Sequence, residues 1–135
     1  MNVFLDANIF IYAAGQPHPH KEPSLQFLRS LSQQGMEGIT DAEVLQELLY
    51  RFWHLKRLTD GVALVEQAVR LVPRVLSVNK PDALLAATLL KQHPTIEPRD
   101  AIHAAVMLNH GLTTIFSYDQ HFDRISGLNR VEPQS

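Results

Sequence analysis

The stretch Met1-Asn2-Val3-Phe4-Leu5-Asp6-Ala7-Asn8 decides the reading of this chain. Val3, Phe4 and Leu5 form a continuous apolar run too short for a helix of its own, and it suits a strand buried on both faces in the middle of a parallel sheet. The run stops at Asp6, and Ile9, Phe10, Ile11, Tyr12 and Ala13 follow as an apolar segment able to turn into a helix. A carboxylate at the carboxyl end of a central strand stands where open α/β sheets receive their ligands. Taken alone, Asp6 is most simply a strand-ending residue or the cap of the next helix. Asn8 can hydrogen-bond to it or cap that helix itself. Asp6 gains meaning only if later acids are placed to meet it.

The alternation downstream supports such a sheet. Leu25, Phe27, Leu28, Leu31 and Met36 predict an amphipathic helix from about Pro23 to Gln34, closed by Gly35. Gly38-Ile39-Thr40 reads as a short second strand, and Asp41 as the N-cap of a helix over Ala42 to about Lys56. Thr59 or Asp60 is expected to cap a further helix that Pro73 ends. Val75-Leu76-Ser77-Val78 is the third expected strand, followed by a helix over Pro81 to Gln92 with Asp82 as favourable charge in its first turn. Pro98 opens a last helix that Gly111 stops. Strands are expected at Thr114-Ile115-Phe116 and around Asn129-Arg130-Val131. Strand and helix alternating in this way predict a three-layer α/β/α sandwich with a mainly parallel central sheet. The 135 residues are expected to form one domain, 1–135.

Composition narrows the function classes. Hydrophobic residues at 45% build a real core, and the absence of cysteine excludes disulfides and thiolate metal sites. The amino terminus lacks a basic region followed by a long apolar stretch, so the chain is expected to be soluble, not exported and cytoplasmic. With 12 Lys and Arg against 14 Asp and Glu, it is not the strongly basic protein that binds nucleic acid by charge alone. Contact with nucleic acid then needs a local basic patch or metal ions that neutralise phosphate. The sequence has neither a Gly-rich phosphate loop nor a Gly-x-Ser-x-Gly elbow, which leaves NTPase and esterase readings without support.

Right-handed crossovers put the carboxyl ends of parallel strands on one rim. Asp6 and Asp119 each follow a strand, Glu47 lies two turns into a helix that follows one, and Asp100 opens the last helix. All four are expected to converge on that rim. Gathered carboxylates cannot all stay ionised without a counter-charge. A hard divalent cation, Mg²⁺ or Mn²⁺, relieves the conflict, takes oxygen ligands and keeps waters that can act as nucleophiles. His103, three residues after Asp100, reads as a hydrogen-bonding residue on a packed helix face rather than as a ligand. His18 and His20 read as part of a flexible polar loop without evident partners. Asp123 reads as a surface acid, and Glu43 as a solvated edge residue.

Phe4-Leu5-Asp6-Ala7-Asn8, Val44-Leu45-Gln46-Glu47-Leu48, Arg99-Asp100-Ala101-Ile102-His103-Ala104-Ala105 and Phe116-Ser117-Tyr118-Asp119-Gln120-His121-Phe122-Asp123 together resemble the PIN-domain family. Their order and the chain length are similar to the VapC-type toxins of bacterial toxin–antitoxin pairs. The resemblance implies an α/β/α sandwich and a Mg²⁺- or Mn²⁺-dependent ribonuclease. By position it implies Asp6, Glu47, Asp100 and Asp119 as the catalytic, metal-binding acids, with Asn8 and Ser117 as supporting polar residues. It also implies an RNA substrate, a homodimer and a cognate antitoxin whose tail covers the active-site groove, for which Phe52, Trp53 and Leu55 offer an apolar surface. Two other readings stand beside it: a PIN-like RNA-binding or regulatory module of little or no activity, and a phosphohydrolase that uses an aspartyl nucleophile. The latter calls for a second acid where Asn8 stands and a placed lysine, for which Lys80 is the candidate.

Overall fold

The computed structural model describes residues 1–134. β1 (Asn2–Leu5) leads through Asp6 into α1 (Ala7–Ala14), and α2 (Lys21–Ser30) precedes β2 (Glu37–Asp41). α3 (Ala42–His54) and α4 (Leu58–Leu71) lead to β3 (Arg74–Leu76), and α5 (Lys80–Gln92) and α6 (Pro98–Asn109) lead to β4 (Thr114–Phe116). A short 3₁₀ turn (Gln120–Arg124) and β5 (Asn129–Val131) complete the order.

The five strands form one sheet in the order β3-β2-β1-β4-β5, and every neighbouring pair is parallel. β1 lies at the centre, with Phe4 paired to Ile39 on one side and to Ile115 on the other. Val3, Phe4 and Leu5 have no exposed surface, which is why the run is apolar at every position rather than at alternate ones. Burying a side chain the size of Phe4 contributes roughly 1.5–3 kcal/mol.

From β1 the chain steps to β2 and β3 on one side, then returns across the sheet to β4 and β5 on the other. Right-handed crossovers then set α1–α4 on one face and α5 and α6 on the opposite face. The packing agrees: α1, α3 and α4 touch one another, α1 holds α2, and α5 lies against α6. The expected α/β/α sandwich is therefore the observed fold, with a sheet that is wholly parallel. The reversal of direction falls between β1 and β4, so a crevice opens at their carboxyl ends. Ala101, Ala104 and Ala105 of α6 are buried, and their small side chains let the helix approach the sheet closely.

Several boundaries differ from expectation for identifiable reasons. The helix expected over Pro23 to Gln34 is α2 over Lys21–Ser30, followed by a 3₁₀ turn at Ser32–Gln34, where Gly35 takes a left-handed φ of 71° and closes the segment. Neither Thr59 nor Asp60 caps α4. Arg57 holds the cap position, and Asp60 pairs instead with the Arg57 guanidinium at 2.9 Å. β3 begins one residue early and stops at Leu76, where its pairing to Asp41 of β2 runs out. Asp82 is more than helpful first-turn charge. It is buried, accepts the backbone N–H of Asn79 at 2.8 Å, and takes the Asn109 side-chain amide of α6 at 2.9 Å. Phe52 packs in the core, whereas Trp53 and Leu55 are exposed. No helix among the described residues is long and apolar enough to cross a membrane.

Because Asp82 ties the start of α5 to the end of α6, Asp82→Ala should lower the unfolding free energy by about 1–3 kcal/mol. Urea denaturation followed by circular dichroism measures this, and an unchanged midpoint would show the tie to be dispensable.

Candidate functional site

Asp6 ends β1 and starts α1, and both roles fix its carboxylate. Its Oδ1 accepts the Ala7 N–H at 2.8 Å, the N-cap interaction of α1. Its Oδ2 accepts the Ser117 hydroxyl at 2.6 Å and the Asn8 amide at 3.3 Å. Ser117 directly follows β4, so this bond spans the crevice where the sheet reverses direction. Ser117 Oγ also accepts the Asp119 N–H at 3.0 Å, and Asn8 Oδ1 accepts the Tyr118 N–H at 3.3 Å. Asn8 thus bonds to Asp6 and to the segment after β4, and Asp6 rather than Asn8 is the cap.

Asp100 lies in the first turn of α6 and is buried. Asp119 caps the 3₁₀ turn and accepts the His121 N–H at 2.9 Å. One side-chain atom each from Asp6, Asp100 and His103 lies within 4.8 Å of the others, and the same holds for Asp100, Asp119 and His121. Asp100 is the shared member, with Asp6 on one side and Asp119 on the other. Glu47 does not join either group. It lines the same cavity, which has a volume of about 440 Å³, with its carboxylate turned to His103. The cavity wall beyond the acids carries Arg51, His54, Arg99 and Tyr50.

His103 is fully buried, and its ring bridges two acids. Nδ1 lies 2.8 Å from Asp41 Oδ2, and Nε2 hydrogen-bonds to Glu47 Oε1. It is a hydrogen-bonding residue of a packed helix, as expected, but its partners were not visible in the sequence. Asp41 caps α3 through its other oxygen, which accepts the Val44 N–H at 2.9 Å. Burial works against charge on the ring, but the hydrogen bonds to Asp41 and Glu47 outweigh it and hold the imidazole's proton well above the usual range.

One residue beside the acids, His121, was missed. It follows Asp119 by two positions and lines the cavity, with its Nδ1 3.3 Å from Asp119 Oδ1. The only available signal was its closeness to Asp119 in sequence. The loop with His18 and His20 is packed rather than free. His20 stacks on Tyr118 at 3.8 Å, His18 lies 4.5 Å from Tyr12, and Tyr12 meets Tyr118 edge-on at 5.3 Å. Asp123 pairs with Arg130 at 2.9 Å on the surface. Glu43 has its carboxyl pushed above the ordinary range by burial, so it is not simply a solvated edge residue.

The acids feel one another. Burial, hydrogen bonding to Asp119 and the negative charge of Asp6 push the Asp100 carboxyl up to about 8. Asp6 is raised as well, chiefly by burial, with His103 opposing the rise and Glu47 adding to it. A set of carboxylate oxygens fits a hard divalent cation, which removes the repulsion that protonation otherwise relieves.

Comparison with known proteins bears on this geometry. The sequence profile of the PIN domain matches residues 3–128. This chain belongs to the PIN domain family. Among PIN proteins it is 35% identical to Ribonuclease VapC13 of Mycobacterium tuberculosis over 96% of this chain and 98% of that one. The fold is similar to that of the sarcin-ricin loop cleaving toxin VapC20 of the same organism, with a TM-score of 0.79, 21% identity and coverage of 97% and 99% of the two chains. It is also similar to VapBC2 of Rickettsia felis bound to a promoter DNA fragment, with a TM-score of 0.77, 19% identity and coverage of 98% of each chain.

Asp100 keeps its proton up to about pH 8 in the folded protein, against an ordinary value of 3.8. The folded state then binds more protons than the unfolded chain throughout that window, so stability falls as pH rises toward 8. In metal-free protein the urea midpoint should drop between pH 6 and pH 8, and drop less in Asp100→Asn. Equal midpoints at both pH values in the wild type would contradict the cluster's electrostatics.

Proposed function

We propose that this chain is a Mg²⁺- or Mn²⁺-dependent endoribonuclease, the toxin of a type II toxin–antitoxin pair, folded as one PIN domain over 1–135. Asp6, Glu47, Asp100 and Asp119 are its catalytic and metal-holding acids. The observation that carries the reading is Asp100, whose buried carboxyl is held between Asp6 and Asp119 and is pushed up to about 8. A protein that only bound RNA would have no use for three acids forced together at this cost. The ribonuclease names of relatives 35% identical over nearly the whole chain support the reaction class.

Each protein group has a definable task. Ser117 and Asn8 donate to Asp6 Oδ2 and hold its carboxylate in one orientation. Oδ1 is tied to the start of α1, so Asp6 cannot turn away without breaking a cap. Asp119 is fixed through Ser117 and through the turn that it caps. Glu47 is held from below by His103. Arg99, with its Nε 3.9 Å from Glu47, and Arg51, which makes no ion pair among the described residues, stand on the cavity wall where a phosphodiester would enter. Their charges complement phosphate. A bound divalent ion supplies Lewis acidity at the scissile phosphate and an activated water.

The substrate is then RNA, and the partner a cognate antitoxin protein. The exposed Trp53 and Leu55, beside the cavity-lining Tyr50, offer that protein an apolar face. A homodimer and a cytoplasmic location accompany this reading.

Purified protein incubated with a mixed RNA pool should cut it with Mg²⁺ or Mn²⁺. Cleavage should fall to background with chelator and in an Asp6→Asn variant. RNA bound but left uncut by folded, metal-loaded protein would favour a non-catalytic RNA-binding module, and cleavage unaffected by Asp6→Asn would refute the site.

A further inference from the structure

We infer that Asp41 and His103 form a positioning relay that presents Glu47 to the acidic cavity, a role neither residue has by virtue of holding metal or touching substrate. The inference rests on the proposed metal-dependent site.

The relay is read from atoms. Asp41 ends β2 and divides its two oxygens between tasks: Oδ1 caps α3 at the Val44 N–H, 2.9 Å away, and Oδ2 meets His103 Nδ1 at 2.8 Å. The other ring nitrogen meets Glu47 Oε1. Both ring nitrogens are thus taken up by carboxylates, and neither is free for a metal, although Nε2 lies 3.9 Å from Asp6 Oδ1. The ring cannot swing away. It has no exposed surface and lies against the Phe4 ring, with centroids 5.6 Å apart.

Glu47 depends on this chain of bonds. Its side chain has three rotatable bonds and would otherwise be free to follow Arg99, whose Nε is 3.9 Å from Oε2. With Oε1 held by His103, Oε2 is the oxygen offered to the cavity that Asp6, Asp100 and Asp119 also line. The cap and the relay share one residue, so the start of α3, the buried face of α6 and the Glu47 carboxylate are set by a single aspartate. A tie between helices needs no charge at its far end. The third member here is an acid of the cavity, and that distinguishes a relay from packing.

Groups that orient ligands from behind typically cost 10–100-fold in metal affinity when removed. Asp41→Ser separates the two tasks of Asp41, because a serine hydroxyl still caps α3 but does not reach His103. Mn²⁺ titration by calorimetry on the full chain should show binding weakened by roughly 10–100-fold in Asp41→Ser. The urea midpoint, read on the same samples, separates lost affinity from lost stability. Asp82→Ala, a buried lesion remote from the cavity, should lose stability and keep wild-type Mn²⁺ affinity. Should Asp41→Ser fail to fold, Asp41→Thr carries the test, since its hydroxyl likewise caps α3 and falls short of the ring. Wild-type affinity in a folded Asp41 variant would overturn the relay and leave a structural tie. A wild-type protein that binds no Mn²⁺ would instead sink the metal site on which the relay rests.

Discussion

Everything at the carboxyl rim of this sheet follows from one constraint: several acids must lie buried together. Taking a carboxylate out of water is costly unless its oxygens find donors, and a second carboxylate nearby makes the cost worse. The fold meets the first demand with bonds that also build the architecture. Asp6 caps α1 and is bonded across the sheet to Ser117, Asp41 caps α3, and Asp119 caps a 3₁₀ turn. The second demand it leaves open at Asp100, where the carboxyl stays protonated to about 8. A buried charge conflict that the protein itself does not resolve is a reason to look for a cation from outside.

The parallel topology makes such a gathering possible. Reversal of strand order between β1 and β4 opens the crevice, and the two adjacent carboxyl ends supply Asp6 and Ser117 to its walls. α3 and α6 come from opposite faces of the sheet and meet there through Glu47, His103 and Asp41. The acids are thus tied by hydrogen bonds to the elements that carry them, which suits a reaction that depends on positioning and charge stabilisation.

Much of this was legible in the sequence because the acids mark local events. Asp6 and Asp119 each follow an apolar run that could only be a strand, and Asp100 follows a proline that starts a helix. Asn8 and Ser117 were legible through resemblance to PIN proteins. What stayed hidden is non-local. Asp41 and His103 are 62 positions apart, and each has a sufficient local explanation, a helix cap for one and a packed helix face for the other. Likewise His18 and His20 gave no sign of Tyr118, almost a hundred positions away, on which His20 stacks. The misplaced start of α4 has another cause: Thr59 and Asp60 have cap chemistry, but the Arg57–Asp60 pair uses the acid inside the first turn instead.

The central claim is that Asp6, Asp100 and Asp119, with Glu47 beside them, hold a divalent cation. Crystals of the protein grown or soaked with Mn²⁺ and measured at the manganese absorption edge test it most directly. An anomalous peak is expected in the cavity among these carboxylates. A well-ordered cavity without such a peak, or manganese bound only elsewhere on the protein, would contradict it.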